Sequence, residues 1–241
     1  MTLQLKPLQP FARGGNRLCY VHPDDPALCV KVRRPDFSLA QRRRKKGFPK
    51  RLLPLSHFDD NREEFAVMRA LDRSCGEPLY RHVSRCHGFV DTDMGAGLVS
   101  ELIRNDDGAI AETLKKYLWD HGFDSACNAA VAQLCERWLA LAVPSRDLLL
   151  HNIVVQRRGD TIERLVVIDG LGSAGLIPFH WLPRALRRNK AQRKVANLYQ
   201  RIDTLLGQRG QEKFPGYHGL LLHNDAPHAH QQHVHKQEVD Q

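Results

Sequence analysis

Leu28, Val30 and Val32 alternate with Cys29, Lys31 and Arg33. A period of two predicts one half-buried strand. Leu18 to His22 predicts its partner, with Pro23-Asp24-Asp25-Pro26 as the turn between them. Strands are also expected around Gly88 to Asp91 and Gly97 to Leu102. Between the two strand groups the spacing changes: Asn61 opens a helix with Glu63 and Glu64 in its first turn, where carboxylates suit the dipole, and Phe65, Met68 and Leu71 form its buried stripe.

The rear half follows a helical period at first. Ile110, Leu114, Tyr117 and Leu118 mark one amphipathic helix, and Val131, Leu134, Trp138 and Leu141 a second, more apolar one. Two short apolar strands come next, Asn152 to Gln156 and Arg164 to Ile168, joined by Arg157-Arg158-Gly159-Asp160. A last helix from Leu182 to Leu206 turns Val195, Leu198, Ile202 and Leu205 inward. Strands, then helices, then a hairpin give an α+β order with a boundary near Ile103 to Gly108. The expected division is a β-rich lobe over 1–104, a helical lobe over 105–210 and a loosely attached tail over 211–241. That tail has six histidines from His218 to His235; such a tail can bind metal, and uneven spacing usually makes the site adventitious.

Composition narrows the class. The chain has 241 residues, 42% apolar and 26% charged, as expected of a globular protein. Its longest apolar run, Trp138 to Val143, is far short of a bilayer span. The start carries no secretory pattern, so a cytoplasmic protein is expected. Six scattered cysteines without a C-x-x-C pair point to reduced thiols rather than a zinc site. A net charge of +9 favours an anionic partner. Nine basic residues and one acid from Arg33 to Arg51 read as an exposed loop. Trp181 to Arg201 holds seven Lys or Arg and no acid. Arg184, Arg187, Arg188 and Lys194 can share one face there, suited to solvent, an anionic glycolipid or membrane surface, or a protein partner. Nucleic acid is disfavoured because no binding motif accompanies the charge.

Four features could carry chemistry. Gly14 and Gly15, before Asn16 and Arg17, form a turn whose backbone can approach phosphate oxygens. Lys31, flanked by apolar residues, needs an anionic partner if it faces inward; Glu64 is the candidate and Glu63 its competitor. Arg146-Asp147 is followed by an apolar run and Asn152. In phosphoryl transfer an Asp orients the attacking hydroxyl and an Asn five residues on reaches magnesium. The apolar strand Leu165 to Ile168 ends in Asp169-Gly170, which presents a carboxylate able to ligate Mg²⁺.

In that order the features resemble the protein kinase-like fold. From Ala12 to Arg201 the chain is similar to the bacterial PhoP regulatory network protein family (YrbL). The resemblance rests on Cys19-Tyr20-Val21-His22-Pro23, Cys29-Val30-Lys31, Gly88 with Gly97, Asn152-Ile153, Asp169-x-x-Gly172, Ile177-Pro178, and the aromatic-basic stretch from Trp181 through Arg193. It implies a bilobal fold using ATP and Mg²⁺. Lys31 would contact the α/β-phosphates and be held by Glu64, Asp147 would position the acceptor hydroxyl, and Asn152 and Asp169 would hold the metal. Gly14, Gly15 and Arg17 would cover phosphates. Cys29 would roof the adenine, Cys19 would line the same slot, and Glu101-Leu102-Ile103 would offer backbone groups to its edge.

Departures from the kinase pattern shape the expectation. Ala12 and Arg17 stand where loop glycines would be, Ser145 replaces a histidine, and Leu149 stands where many protein kinases carry a lysine. No Ala-Pro-Glu segment follows Asp169, so the peptide-docking region is reduced. The acceptor implied is therefore a small molecule or an envelope sugar or glycolipid, with the protein in the cytoplasm or at the inner membrane. The rival reading is a regulatory pseudokinase that binds nucleotide or partners without turnover.

Overall fold

The computed structural model describes residues 2–44, 48, 50–172, 183–211, 213–216 and 218–222. Five antiparallel strands form the front lobe: β1 (Ala12–Arg13), β2 (Arg17–Val21), β3 (Leu28–Arg33), β4 (Cys86–Thr92) and β5 (Gly95–Glu101), in spatial order β1-β2-β3-β5-β4. Lys31 lies at the centre, opposite Cys19 on β2 and Leu98 on β5. Cross-strand partners share a face, so Cys19, Cys29 and Lys31 look the same way.

β3 differs from the half-buried strand expected. Cys29, Val30, Lys31 and Val32 are all buried. The outer face is closed by the chain's own start: Leu5 packs with Tyr20, Val30 and Val32, pinned where its N–H donates to Asp93. Gly97 admits this packing, since a Cβ there would lie 2.5 Å from Val30 Cγ1.

Helix α2 (Asp60–Cys75) is capped by the Asp59 side chain and buries Asn61, Met68 and Leu71. Phe65 is partly exposed and packs edge-on against Phe89. The basic stretch after β3 is not wholly loop, for Leu39–Arg44 forms a short helix, α1.

In the rear lobe, helices α3 (Leu114–His121) and α4 (Ser125–Leu141) precede a hairpin of β6 (Ile153–Arg158) and β7 (Thr161–Val167), and α5 (Arg184–Gln208) closes the fold. Ile110 lies outside α3, pairing instead with Arg104, because the Thr113 cap starts the helix after it. Val131, Leu134 and Trp138 join Leu198, Ile202 and Leu205 of α5 in the main core. Met68 and Leu71 of α2 belong to the same core, so the lobes share packed surface.

The tail expected to be loose is docked over its described part. Phe214 meets Trp119 edge-on with ring centroids 5.7 Å apart, and the Leu222 N–H donates to the Phe11 carbonyl at 2.9 Å. Residues 223–241, with five of the six tail histidines, lie outside the described residues, as do Ile177, Pro178, Trp181 and Leu182. No helix among the described residues is long and apolar enough to cross a membrane. All six cysteines are free.

Candidate active site

The cleft is assembled from strand ends and one helix. Lys31 Nζ donates to Glu64 Oε1 at 2.7 Å and to the Ile168 carbonyl at 2.9 Å. Burial works against its charge, and Glu64 overrides it, holding the ammonium above its ordinary value. Glu63, the competing carboxylate, turns away to pair with Arg146. Asn61, read from the sequence only as a helix start, supports the pair: its Nδ2 donates to the Lys31 carbonyl at 2.8 Å, and its Oδ1 accepts from Arg17. Its place three residues before Glu64, on the same helical face, was the available signal.

Arg17 is more central than a loop residue adding charge. Its guanidinium donates to Glu64 and, at 2.5 Å, to Asp169 Oδ2. Asp169 Oδ1 accepts the Gly170 N–H at 2.7 Å. Burial alone would raise the Asp169 pKa, but Arg17 and then Lys31 hold it well below the usual carboxylate range. Gly170 takes φ +82°, and a Cβ there would lie 2.9 Å from Asn152 Nδ2 and 3.1 Å from the Asp147 carbonyl. The glycine after Asp169 is what lets Asn152 and Asp147 close around it.

Asp147 borders the same cavity of about 310 Å³ as Gly14, Gly15, Arg17, Glu64, Asn152 and Asp169. It pairs with Arg201 and, at 3.8 Å, with Lys194, while its Oδ1 accepts no hydrogen bond among the described residues. Lys194 and Arg187 are half-buried on α5, whereas Arg188, Lys190 and Arg193 are exposed. Nothing in the sequence distinguished Arg201 from its basic neighbours.

A second compartment, about 170 Å³, adjoins the first and shares Arg17, Asn152 and Asp169 with it. Its walls are largely apolar, with Cys19, Cys29, Leu102, Ile103, Ala111 and Val154 among them. Burial pushes the Cys29 thiol up to about 12 and raises Cys19 too, so both line the slot as neutral thiols. Glu101 and Ile103 border it, but much of the connecting backbone is committed. Glu101 N–H donates to Arg85, Leu102 N–H to Ala27, and the Ile103 carbonyl accepts from Ala111.

The glycine turn is built differently from a pure turn. Gly14 N–H is spent on the Arg17 carbonyl at 2.9 Å, yet neither Gly14 nor Gly15 has positive φ. A Cβ on Gly15 would meet nothing within 4 Å. The turn itself does not demand glycine there.

A family model described as PhoP regulatory network protein YrbL matches residues 3–203. The chain belongs to that family. YrbL of Escherichia coli (strain K12), described as an uncharacterized protein, is 27% identical over 181 residues, covering 73% of this chain and 76% of its own. The Shigella flexneri YrbL matches with the same figures. Among solved structures, Rad53 1-466 in complex with AMP-PNP aligns with a TM-score of 0.43 and 14% identity, over 87% of this chain. This YrbL-family chain spans about half of that one, 48%. Its own elements bring together a lysine on the central strand of a five-stranded sheet, a helix glutamate bound to it, and a hairpin between Asn152 and Asp169.

Proposed function

We propose that this YrbL-family protein is an ATP- and Mg²⁺-dependent phosphotransferase acting on a hydroxyl of a small molecule or an envelope sugar or glycolipid. The observation that carries the reading is the convergence of the Lys31–Glu64 pair, Asp147, Asn152 and Asp169 on one cleft.

The donor set fits magnesium: Asp169 offers an ionised carboxylate and Asn152 an amide oxygen, held together by the space Gly170 leaves. A magnesium ion held there supplies positive charge that offsets the phosphate oxygens. Lys31 presents its ammonium to the phosphates, and Glu64 holds it in place. Asp147, on the wall of the same cavity, orients the acceptor hydroxyl and takes its proton. Gly15 lets the turn settle over the phosphates. The apolar compartment beside Cys29 and Leu102 receives the base. The exposed cations Arg188, Lys190 and Arg193 support contact with an anionic surface such as a glycolipid headgroup.

Thermal shift with ATP, with and without Mg²⁺, on wild type and Asp169→Ala tests the binding half. The reading expects a metal-dependent stabilisation that the substitution abolishes; no nucleotide effect in wild type would refute it. A second reading, a pseudokinase that binds without turnover, is favoured by one feature: both aspartates are already neutralised by Arg17, Arg201 and Lys194. Hydrolysis or transfer of the γ-phosphate, measured in wild type and Asp147→Ala, separates the two.

A further inference from the structure

The C-terminal residues 218–222 lie across the apolar compartment rather than away from the fold. Leu221 packs with the cluster of Phe11, Cys29 and Leu102, and His218, Gly219, Leu220 and Leu221 border the cavity. The segment is tied to both lobes. On the front side the Leu222 N–H donates to the Phe11 carbonyl. On the rear side Thr113 Oγ1 donates to the Gly219 carbonyl at 2.7 Å, and Lys115 Nζ to the His218 carbonyl at 3.3 Å. The His218 ring stacks on His151 with centroids 5.2 Å apart. Gly219, at φ +100°, sits so close that a Cβ would lie 2.9 Å from Thr113 Oγ1 and 3.1 Å from His151 Cβ.

These contacts admit two roles, a plug that excludes ligand or a wall that completes its pocket. A plug fills the space it guards. Here about 170 Å³ stays open beneath the segment, between Leu221 and the apolar residues opposite. The segment also brings an apolar side chain and a stacking ring to the compartment, the surfaces that suit a flat heteroaromatic base.

We infer that residues 218–222 are a working wall of the base compartment, with Leu221 and His218 as base-contacting residues of the nucleotide site. This rests on the nucleotide-binding reading proposed above and adds a base-recognition element contributed from beyond the last helix. The wall touches the base compartment and not the phosphate end, so its loss should weaken binding of a nucleotide while sparing a bare polyphosphate.

Calorimetric titration with ATP–Mg²⁺ and with inorganic tripolyphosphate–Mg²⁺ on the full chain, Leu221→Ala and a chain ending at Gly210 tests this. Circular dichroism melts establish that each variant is folded, and Leu221→Ala serves should the shortened chain not fold. The inference expects ATP affinity to fall roughly tenfold or more in both variants, the loss of about one buried leucine contact, with tripolyphosphate affinity unchanged. ATP affinity that holds or rises in the variants overturns the wall and leaves the nucleotide site standing. ATP binding no tighter than tripolyphosphate in wild type also overturns it, while a phosphate site survives. Binding of neither ligand to wild type removes the underlying reading together with the inference.

Discussion

Arg17 Nη2 donates to Asp169 Oδ2 at 2.5 Å, so the carboxylate proposed to hold a metal already has a cation of the protein's own. The same guanidinium reaches Glu64, which makes it a clasp between helix α2 and the end of β7. A metal at Asp169 and Arg17 at Asp169 then compete for one oxygen. In Arg17→Ala, half-maximal stabilisation by ATP should need less Mg²⁺ than in wild type. A magnesium series in thermal shift reads this directly, and a higher requirement would mean that Arg17 helps hold phosphate instead.

Glu64 and Glu63 are neighbours in sequence with unlike surroundings. Glu64→Gln leaves Lys31 and Arg17 facing a neutral amide in a buried site, and a broken buried pair costs on the order of 3–5 kcal/mol. Glu63→Gln removes a half-exposed pair with Arg146, a loss of about 1 kcal/mol or less. Urea unfolding of the two variants should show this separation; equal losses would mean that the lysine pair does not organise the front lobe.

Gly170→Ala puts a methyl group where Asn152 Nδ2 lies 2.9 Å away, at a φ of +82°. The strain is about 1–3 kcal/mol, and Asn152 must turn aside. The expected result is a folded protein whose magnesium-dependent stabilisation by ATP is largely lost. Retention of that stabilisation would place the metal away from Asn152.

Asp147→Ala should bind ATP–Mg²⁺ as wild type does while transferring phosphate about 10²–10⁴-fold more slowly. The check is a γ-phosphate transfer assay run beside a binding titration. Unchanged turnover would refute the role of Asp147, and loss of binding would show that its pairing with Arg201 is structural.

Acid should loosen the C-terminal wall. Burial, His218 and Lys115 together push His151 down to about 4, with Asp169 acting weakly the other way. A histidine whose folded pKa lies below its unfolded value contributes full stability above about pH 6.5, and that contribution falls as the pH drops towards 4. Hydrogen exchange of residues 218–222 at pH 7.5 and pH 5 should show protection weakening in acid, and less so in His151→Gln. A pH-independent profile would refute the coupling.

Much of this fold was legible because its signals are local. The alternation around Lys31, the carboxylate Glu63 near the start of α2 and the apolar faces of α4 and α5 each act within a few residues; α2 begins at Asp60, one residue before the Asn61 expected, because Asp59 caps it. Spacing also brought the candidate residues close, for Asn152 lies five residues after Asp147 and one short hairpin separates it from Asp169. What escaped is long-range. Leu5 covering β3 from outside, Arg201 reaching Asp147 from 54 residues away, and Leu221 packing beside the apolar compartment all depend on contacts between segments distant in sequence. No pattern of neighbours encodes that. Helical spacing identifies which cations share a row on α5, and tertiary packing decides that Lys194 faces a carboxylate.

The bond from Lys31 Nζ to the Ile168 carbonyl joins the two lobes through the ammonium itself. On the nucleotide-binding reading proposed above, a phosphate that draws on this ammonium would loosen the bond, so occupancy of the cleft and the seam between the lobes would share one linkage.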